Sequence, residues 1–163
     1  MAASRWWLLA LVPWLAALPA WSAPGAIEGR VVRVVDGDTI HVRVGDRVEK
    51  IRYIGVNTPE IHHPTRGEEP GGCEAAEVNR RLVEGQTVRL ELDVRERDRY
   101  RRLLAYVWVA DVMINAELVR LGYAQAMTVP PNVRHQQVFL KGEREAREAG
   151  RGLWGVVASA RCR

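Results

Sequence analysis

Hydrophobic and polar residues alternate along three stretches of the chain, and two further stretches are rich in apolar residues; together they predict five β-strands. The first two stretches are especially rich in β-branched side chains, which favour strands. The Gly-Asp-Arg sequence at residues 45–47 predicts a hairpin turn after the second strand. The predicted strands span residues 29–35, 38–44, about 48–56, 87–94 and 103–109.

Three segments with helical periodicity predict α-helices. The first begins at Glu74 and ends at Gly85, a residue suited to leaving a helix. Asn115 is expected to cap a short second helix that ends at Leu121. A third, highly charged helix is predicted over residues 133–149.

The order of these elements predicts an α+β fold built on a β-barrel. Three strands, a helix, two strands and two helices match the five-stranded, partly open barrel of the oligonucleotide-binding fold (OB-fold), with about three α-helices. The sequence contains no internal repeat and no linker that would divide it, so we expect one domain over residues 24–163, with its core at 27–154. A fold alone does not specify a function.

The first 23 residues have the pattern of a cleaved signal peptide. Arg5 precedes an apolar run from Trp6 to Leu18, and the small residues Ala20 and Ser22 follow it. An uncleaved anchor is the alternative, but this run of 13 residues contains a proline. A membrane-spanning helix needs about 20 residues. We therefore expect a secreted or periplasmic protein that has no membrane association after cleavage.

Positive charge is concentrated in one segment. The formal net charge is +4 for the whole chain and falls by one when Arg5 leaves with the signal. Residues 95–102, with the sequence RERDRYRR, contain five arginines. Arginine binds phosphate through two parallel hydrogen bonds, so this segment suits a nucleic-acid backbone. The alternative is a solvated, charged turn.

The chain contains two cysteines, Cys73 and Cys162. An even number of cysteines in an exported protein favours a disulfide, which here would join the first helix to the C-terminal tail. The chain-entropy model gives such a bridge, across about 90 residues, roughly 4 to 5 kcal/mol. We treat the pair as a candidate disulfide.

Two carboxylates stand at the start of the second predicted strand. Asp36 and Asp38, in the sequence DGDT, share parity with Ile40 and face the core if the pleat continues through Gly37. Two acids about 6 to 7 Å apart along a strand could serve one hard cation, directly or through water. The alternative is a tight turn in which the aspartates bind backbone amides.

Two further motifs favour chemistry on a phosphate. The sequence IRYIGVNTPE supplies Arg52, Asn57, Thr58 and Glu60. An arginine, oxygen ligands and a carboxylate are what metal-assisted attack on a phosphate requires. The sequence RDRYRRLLAYV places Arg102 at the start of a strand, where a fixed guanidinium could stabilise the charge that grows on the phosphate oxygens.

Together these motifs resemble the thermonuclease family, the staphylococcal-nuclease-like domain. The resemblance rests on DGDT, R-x4-N-T-P-E and D-x-Y-x-R-x-L-A-Y-V in this order, and it covers about residues 27–154. It implies a calcium-dependent nuclease that hydrolyses phosphodiester bonds of DNA, RNA or both on an oligonucleotide-binding barrel. The alternative is a binding module on the same fold with little or no turnover. The joint presence of acid, base and two arginines favours the enzyme.

The resemblance also implies a calcium site. Asp38, Asn57 and the backbone carbonyl of Thr58 would be ligands, and Asp36 would lie near the metal. No cluster of cysteine and histidine offers a softer site in this sequence. Asn57 stands where the best-known member of the family has aspartate, which removes one negative charge from the site.

The catalytic residues implied by the resemblance are Arg52, Glu60 and Arg102. Glu60 would hold and activate the attacking water, and the two arginines would bind the scissile phosphate.

Neighbouring residues are expected to shape the turn or contact substrate. Asp98 is expected to pair with an arginine, and Tyr100 is a candidate nucleotide contact. Arg101 stands where glycine is common in the family, and could crowd the turn or add a phosphate contact. Val129 stands where a tyrosine often stacks on the base, a contact worth about 1 to 3 kcal/mol. We expect a monomer.

Overall fold

The computed structural model describes residues 26–61 and 67–155. They form a closed five-stranded barrel with three helices, which confirms the predicted fold class. The predicted signal peptide and Cys162 lie outside the described residues. The elements are β1 (Ile27–Val34), β2 (Thr39–Val44), β3 (Arg47–Tyr53), β4 (Val56–Asn57), α1 (Gly72–Val83), β5 (Thr87–Glu91), β6 (Leu103–Val109), β7 (Val112–Met113), α2 (Ile114–Arg120), β8 (Gln125–Ala126), α3 (Gln136–Glu148) and a 3₁₀ turn (Gly152–Trp154).

The barrel closes in the order β1-β2-β3-β6-β5, and β5 returns to β1. All these pairs are antiparallel except β3 and β6, which are parallel with Ile51 opposite Leu103. The parallel pairing sets Arg52 of β3 opposite Leu104, beside the start of β6. Arg102 directly precedes β6. The closure of the barrel therefore brings two motif arginines from distant parts of the sequence to one end of the sheet.

Alternating apolar residues fill the barrel as the sequence pattern predicts. Each fully buried Val, Leu or Ile side chain contributes roughly 1.5 to 3 kcal/mol relative to exposure. The inward residues with no exposed surface include Ile40, Val42, Ile51, Val88, Leu90 and Val107.

Several strand ends differ from the prediction: β1 spans residues 27–34 instead of 29–35, and β2 begins at residue 39 instead of 38. Arg47 belongs to β3, so the hairpin turn is shorter than expected. The third strand ends at Tyr53 because Gly55, with φ of 77°, reverses the chain; a Cβ there would lie 2.3 Å from the ring of Phe139. The fourth predicted strand corresponds to β5, which ends at Glu91 instead of residue 94. Val94 is 73% exposed.

The prediction that Asn115 caps α2 is wrong. The helix begins at Ile114, and Asn115 is a buried residue of its first turn. The Asn115 side chain donates to the carbonyl of Ile54 at 2.9 Å and accepts the N–H of Val107 at 2.9 Å. It therefore satisfies backbone groups of the barrel, a long-range role that local capping signals do not reveal.

The other two helices begin near their predicted starts. Helix α1 begins at Gly72, two residues earlier than expected, and α3 begins at Gln136 because residues 133–135 lead into it through a turn. None of the helices in the described ranges is long and apolar enough to span a bilayer.

Candidate active site

The DGDT sequence forms the turn between β1 and β2, so the strand pleat does not continue through it. Asp36 Oδ1 accepts the backbone N–H of Asp38 at 3.0 Å, as the tight-turn alternative requires. A Cβ on Gly37 would lie 2.7 Å from the side chain of Thr58, so only glycine allows this close approach. The turn directs the Asp38 side chain towards the loop that follows β4.

Helix α1 supports this turn through a buried hydrogen-bond chain. The Asn79 amide donates to the carbonyl of Asp36 at 2.9 Å, and the Tyr53 hydroxyl donates to Asn79 Oδ1 at 2.9 Å. Burial raises the pKa of Tyr53 far above its usual value, so the hydroxyl remains protonated as a donor. Asn79 is a supporting residue that the sequence does not reveal, because a polar residue within a helix gives no local sign of burial.

Asp38 is 2% exposed, and its carboxylate is bound on both oxygens. Its Oδ2 accepts the backbone N–H of Thr58 at 3.0 Å and lies 3.0 Å from Arg52 Nη2. Its Oδ1 accepts the hydroxyl of Thr39 at 3.2 Å. These contacts hold the carboxylate in a fixed position on the strand β2 side of the site.

The surroundings of Asp38 contain more negative than positive charge. Burial raises the pKa of Asp38 to about 6, even though the guanidinium of Arg52 and the Thr58 N–H lower it. The nearby carboxylates of Asp36 and Glu60 raise that pKa further. An added cation would therefore favour the ionised carboxylate.

Arg52 is held by three hydrogen-bond acceptors and one ion-pair partner. Its Nη1 donates to the carbonyls of Tyr53 and Val56, each at 2.9 Å. Its Nη2 donates to Asn57 Oδ1 at 3.2 Å, in addition to its contact with Asp38. The guanidinium thus bridges Asp38 and Asn57, the two side chains that the resemblance implies as metal ligands.

Glu60 lies in the loop between β4 and α1. Its N–H donates to Glu69 Oε2 at 3.0 Å, and its carbonyl accepts the Glu69 N–H at 2.8 Å. These bonds position the backbone, while no hydrogen bond or ion pair engages the Glu60 carboxylate within the described part of the chain. Its oxygens can therefore accept hydrogen bonds from water.

The donors near Asp38 fit a hard cation better than a soft one. Residues 26–61 and 67–155 contain no group of three or more His, Cys, Asp or Glu side chains that could hold a metal. A cation here would bind one carboxylate together with amide, carbonyl and water oxygens, which are ligands that Ca²⁺ accepts. The exposed amide of Asn57 and the backbone of Thr58 lie on the same side as Asp38.

Asp98 orients Arg102. Asp98 Oδ2 accepts Arg102 Nε at 2.6 Å, and Oδ1 accepts the backbone N–H groups of Tyr100 and Arg102, each at 2.9 Å. Burial would raise the pKa of Asp98, but the hydrogen bonds and charge of Arg102 outweigh it and hold the pKa below its usual value. One carboxylate therefore shapes the turn and fixes the guanidinium.

Two of the three residues between Asp98 and Arg102, Tyr100 and Arg101, have different surroundings. Tyr100 is 64% exposed, and its ring centroid lies 4.7 Å from the guanidinium of Arg99 and 5.5 Å from that of Arg102. Arg101 has φ of 64°, a left-handed conformation that favours glycine, and its N–H donates to the Asp98 carbonyl at 3.0 Å. The exposed Arg101 side chain does not line the pocket described next.

Arg52 and Arg102 line one pocket of about 680 Å³. Its volume is in the range of small-ligand sites, and one nucleotide would fit. Asp38 and Glu60 do not line this pocket, but Asp38 is joined to it through its ion pair with Arg52. The remaining wall includes Arg95, Arg99, Tyr100, Met127, Val129 and Asn132.

Asn132 joins the two loops that form this wall. Its side chain accepts the Arg95 N–H and donates to the Arg95 carbonyl, both at 2.7 Å. Asn132 follows the cis peptide bond between Pro130 and Pro131. The contact of Asn132 with a loop 37 residues away is not visible in the sequence.

The chain matches a family model described as "Staphylococcal nuclease homologue" over residues 50–156. It is 39% identical over 125 residues to a thermonuclease of Staphylococcus hyicus, covering 77% of this chain and 74% of that protein. It is 38% identical over 124 residues to a thermonuclease of Staphylococcus intermedius, covering 76% and 74%. Endonuclease YncB of Bacillus subtilis is 36% identical over 124 residues, covering 75% of this chain and 59% of that protein. The chain therefore belongs to the staphylococcal nuclease family and is a nuclease, a hydrolase that acts on phosphodiester bonds of nucleic acid.

Proposed function

We propose that this nuclease depends on calcium, with Asp38, Asn57 and the backbone carbonyl of Thr58 as its protein ligands. The observation that supports this most is the buried Asp38 carboxylate, which has Asp36 and Glu60 as negative neighbours and Arg52 as its ion-pair partner. Burying a carboxylate is unfavourable unless positive charge compensates it. Bound calcium would neutralise this charge and polarise the phosphoryl oxygen.

Glu60 is proposed to activate the attacking water. Its backbone is fixed by Glu69, while its carboxylate is free of hydrogen bonds within the described residues. The carboxylate would accept a proton from the water as the water oxygen bonds to phosphorus. General bases of this kind contribute roughly 10² to 10⁴ in rate.

Arg52 and Arg102 are proposed to bind the scissile phosphate from two sides of the pocket. Negative charge grows on the phosphate oxygens as water adds, and fixed guanidinium groups stabilise it most when they are already oriented. Arg52 is oriented by two backbone carbonyls, and Arg102 by Asp98. The departing oxygen would leave on the side of the phosphorus opposite the attacking water.

We propose that the substrate includes both DNA and RNA. Arginine contacts with phosphate carry no information about the base or the sugar. The exposed Tyr100 ring and the side chain of Val129 can pack against a nucleoside without selecting one base. All of these residues come from one chain, which is consistent with a monomer.

We also propose that the protein is exported. Arg5, the apolar run from Trp6 to Leu18 and the small residues after it support this. N-terminal sequencing of the protein recovered outside the cytoplasm should show that the first 23 residues are absent, whereas an intact N-terminus would contradict cleavage.

The proposed chemistry is tested by cleavage of single-stranded DNA, duplex DNA and RNA with calcium and after its chelation. Chelation should abolish cleavage, and Glu60→Gln should lower kcat by roughly 10² to 10⁴ while substrate binding is retained. The matched control is Glu148→Gln at the exposed end of α3. Full activity of the chelated protein, or of Glu60→Gln, would contradict the proposal.

A further inference from the structure

The outer surface of β1, β2 and β3 carries a cluster of cations that the proposed active site does not use. In the strand register Arg30 is opposite Arg43, and Arg33 is opposite His41. His41 is in turn opposite Lys50 on β3. We name these five residues the basic sheet face.

Stability does not explain this arrangement. Like charges directly opposite each other on neighbouring strands are destabilising. Partial burial lowers the pKa of His41, and the charges of Lys50 and Arg33 lower it further, so the cations act on one another. Among the described residues, no ion pair or hydrogen bond engages the four exposed side chains of this face, Arg30, Arg33, Arg43 and Lys50.

A β-bulge in β1 builds the centre of the face. Val31 pairs with Val42 and Arg33 pairs with His41, so Val32 is the extra residue. Regular alternation would turn Arg33 towards the core, on the same side as the buried Val31. The bulge instead leaves Val32 and Arg33 both exposed and returns Val34 to the core.

The face continues into the active site along β3. Lys50 and Arg52 have the same parity, so they lie on the same side of the strand. Arg52 is opposite Thr39, two positions along the register from the pair of Lys50 and His41. Successive rows are about 7 Å apart, two residues along a strand. The cations are therefore spaced at short intervals along the sheet from Arg43 to Arg52, whose guanidinium lines the pocket.

We propose that the basic sheet face binds the phosphodiester backbone of the substrate beyond the nucleotide in the pocket. This inference rests on the proposed function and extends it to the part of the nucleic acid outside the scissile bond. The positive charge complements a polyanion, and the same outer surface carries substrate in many oligonucleotide-binding folds. Val32 and Val48, 43% and 52% exposed, add apolar contact without base selection. Long strands should therefore bind more tightly than short ones, independently of sequence.

The test compares two triple variants of the full chain that lose the same charge. Steady-state cleavage in calcium would be measured on a dinucleotide and on a long single strand at low salt. The face variant carries Arg33→Gln, Arg43→Gln and Lys50→Gln. The control variant carries Arg81→Gln, Lys141→Gln and Arg144→Gln, at exposed positions of α1 and α3.

The face variant should raise KM for the long strand at least tenfold and leave kcat and KM for the dinucleotide within twofold of the wild type. The control variant should leave KM for both substrates nearly unchanged. Equal effects of the two triple variants on the long strand, or an equal loss on the dinucleotide, would overturn the proposal. The thermal midpoint of the face variant should not fall, because removing opposed like charges does not destabilise the sheet.

Binding without catalysis separates this inference from the proposed function. The affinity for the long strand would be measured by fluorescence anisotropy over a range of salt concentrations, with calcium chelated. Loss of three phosphate contacts should lower the slope of log K against log salt by about 2, since each contact in a single strand contributes about 0.7. If the wild type cuts neither substrate, the proposed function is wrong. The difference in salt slope between the wild type and the face variant still tests whether the basic sheet face binds the strand. If the face variant loses affinity for anionic vesicles but not for the strand, the partner is a membrane and the inference is overturned.

Discussion

Arg52 Nη2 lies 3.0 Å from Asp38 Oδ2, in an ion pair whose side chains are 11% and 3% exposed. The same nitrogen donates to Asn57 Oδ1 at 3.2 Å. One guanidinium therefore occupies oxygens that we assign to the cation, and it also lines the pocket that it shares with Arg102. Binding of the cation and of the phosphate should consequently be coupled through this residue.

The first prediction concerns Arg52→Gln. Removing one partner of a buried ion pair leaves the other charge uncompensated, so the metal-free protein should lose roughly 3 to 5 kcal/mol of stability. Calcium should then raise the thermal midpoint of Arg52→Gln more than that of the wild type, because a positive competitor has been removed. Scanning calorimetry with calcium and with a chelator measures both effects.

Arg102→Gln is the matched control for this prediction. Arg102 lines the same pocket, but its ion-pair partner is Asp98 and not Asp38. Its calcium-induced shift should equal that of the wild type. A smaller shift in Arg52→Gln than in Arg102→Gln would show that Arg52 assists calcium binding.

The second prediction is that Asn57→Asp binds calcium more tightly. The substitution adds a formal negative charge beside Asp38, and the affinity of calcium sites rises with the charge of their ligands. We expect a gain of about tenfold, or about 1.4 kcal/mol, by isothermal titration calorimetry. Asn57→Ala, which removes the oxygen, should bind calcium more weakly than the wild type. Unchanged affinity in both variants would exclude Asn57 from the ligand set.

Local patterns predicted the parts of the fold that an alternation or a continuous apolar run along one strand specifies. Strand β6 has the predicted bounds, Leu103–Val109. Local patterns did not predict the burial of Asn79 and Asn115. Both are fully buried because they satisfy backbone groups of segments distant in sequence, 43 residues away for Asn79 and 61 for the farthest partner of Asn115. A polar residue with such a role has no hydrophobic period to reveal it.

The candidate site was likewise predictable where its residues are close in sequence, and not where they meet through strand pairing. The motif around Arg52 was visible in the sequence, since its residues follow one another within a few positions. Its proximity to Arg102 depends on the parallel pairing of β3 with β6, which no local pattern encodes. The bulge at Val32 likewise depends on how β1 pairs with β2, so regular alternation could not place Arg33 on the outer surface.

The third prediction is that Arg101→Gly stabilises the protein. A side chain in the left-handed conformation costs roughly 1 to 2 kcal/mol, and glycine avoids this cost. The thermal midpoint should rise, while kcat should stay within twofold because the Arg101 side chain does not line the pocket. Arg99→Gly is the control, since Arg99 is not among the positive-φ residues and should be destabilised by glycine. A tenfold loss of activity in Arg101→Gly would instead assign a phosphate contact to Arg101.

The fourth prediction concerns Asp98→Asn. The hydrogen bond from Arg102 Nε to Asp98 Oδ2 is 2.6 Å long and joins two charged groups. A hydrogen bond of this kind contributes roughly 1.5 to 3 kcal/mol to stability. The variant keeps an oxygen for the turn but loses the charge that fixes the guanidinium. Misplacement of a phosphate-binding group can cost about 10²-fold, so kcat should fall by roughly that factor. Asp111→Asn, in the β6–β7 turn, should leave kcat unchanged.

The pH dependence of stability gives the same pair an independent test. The pKa of Asp98 is lower in the folded protein than its usual value of 3.8, so the unfolded chain binds the proton more strongly. The stability that this ionised carboxylate contributes is complete above pH 3.8 and is lost as the pH falls through the folded pKa. The difference in unfolding free energy between the wild type and Asp98→Asn should therefore be constant from pH 7 to about 5 and shrink below about 4. A difference that stays constant down to pH 3 would mean that the charge of Asp98 does not hold Arg102, and a structural role in the turn alone would remain.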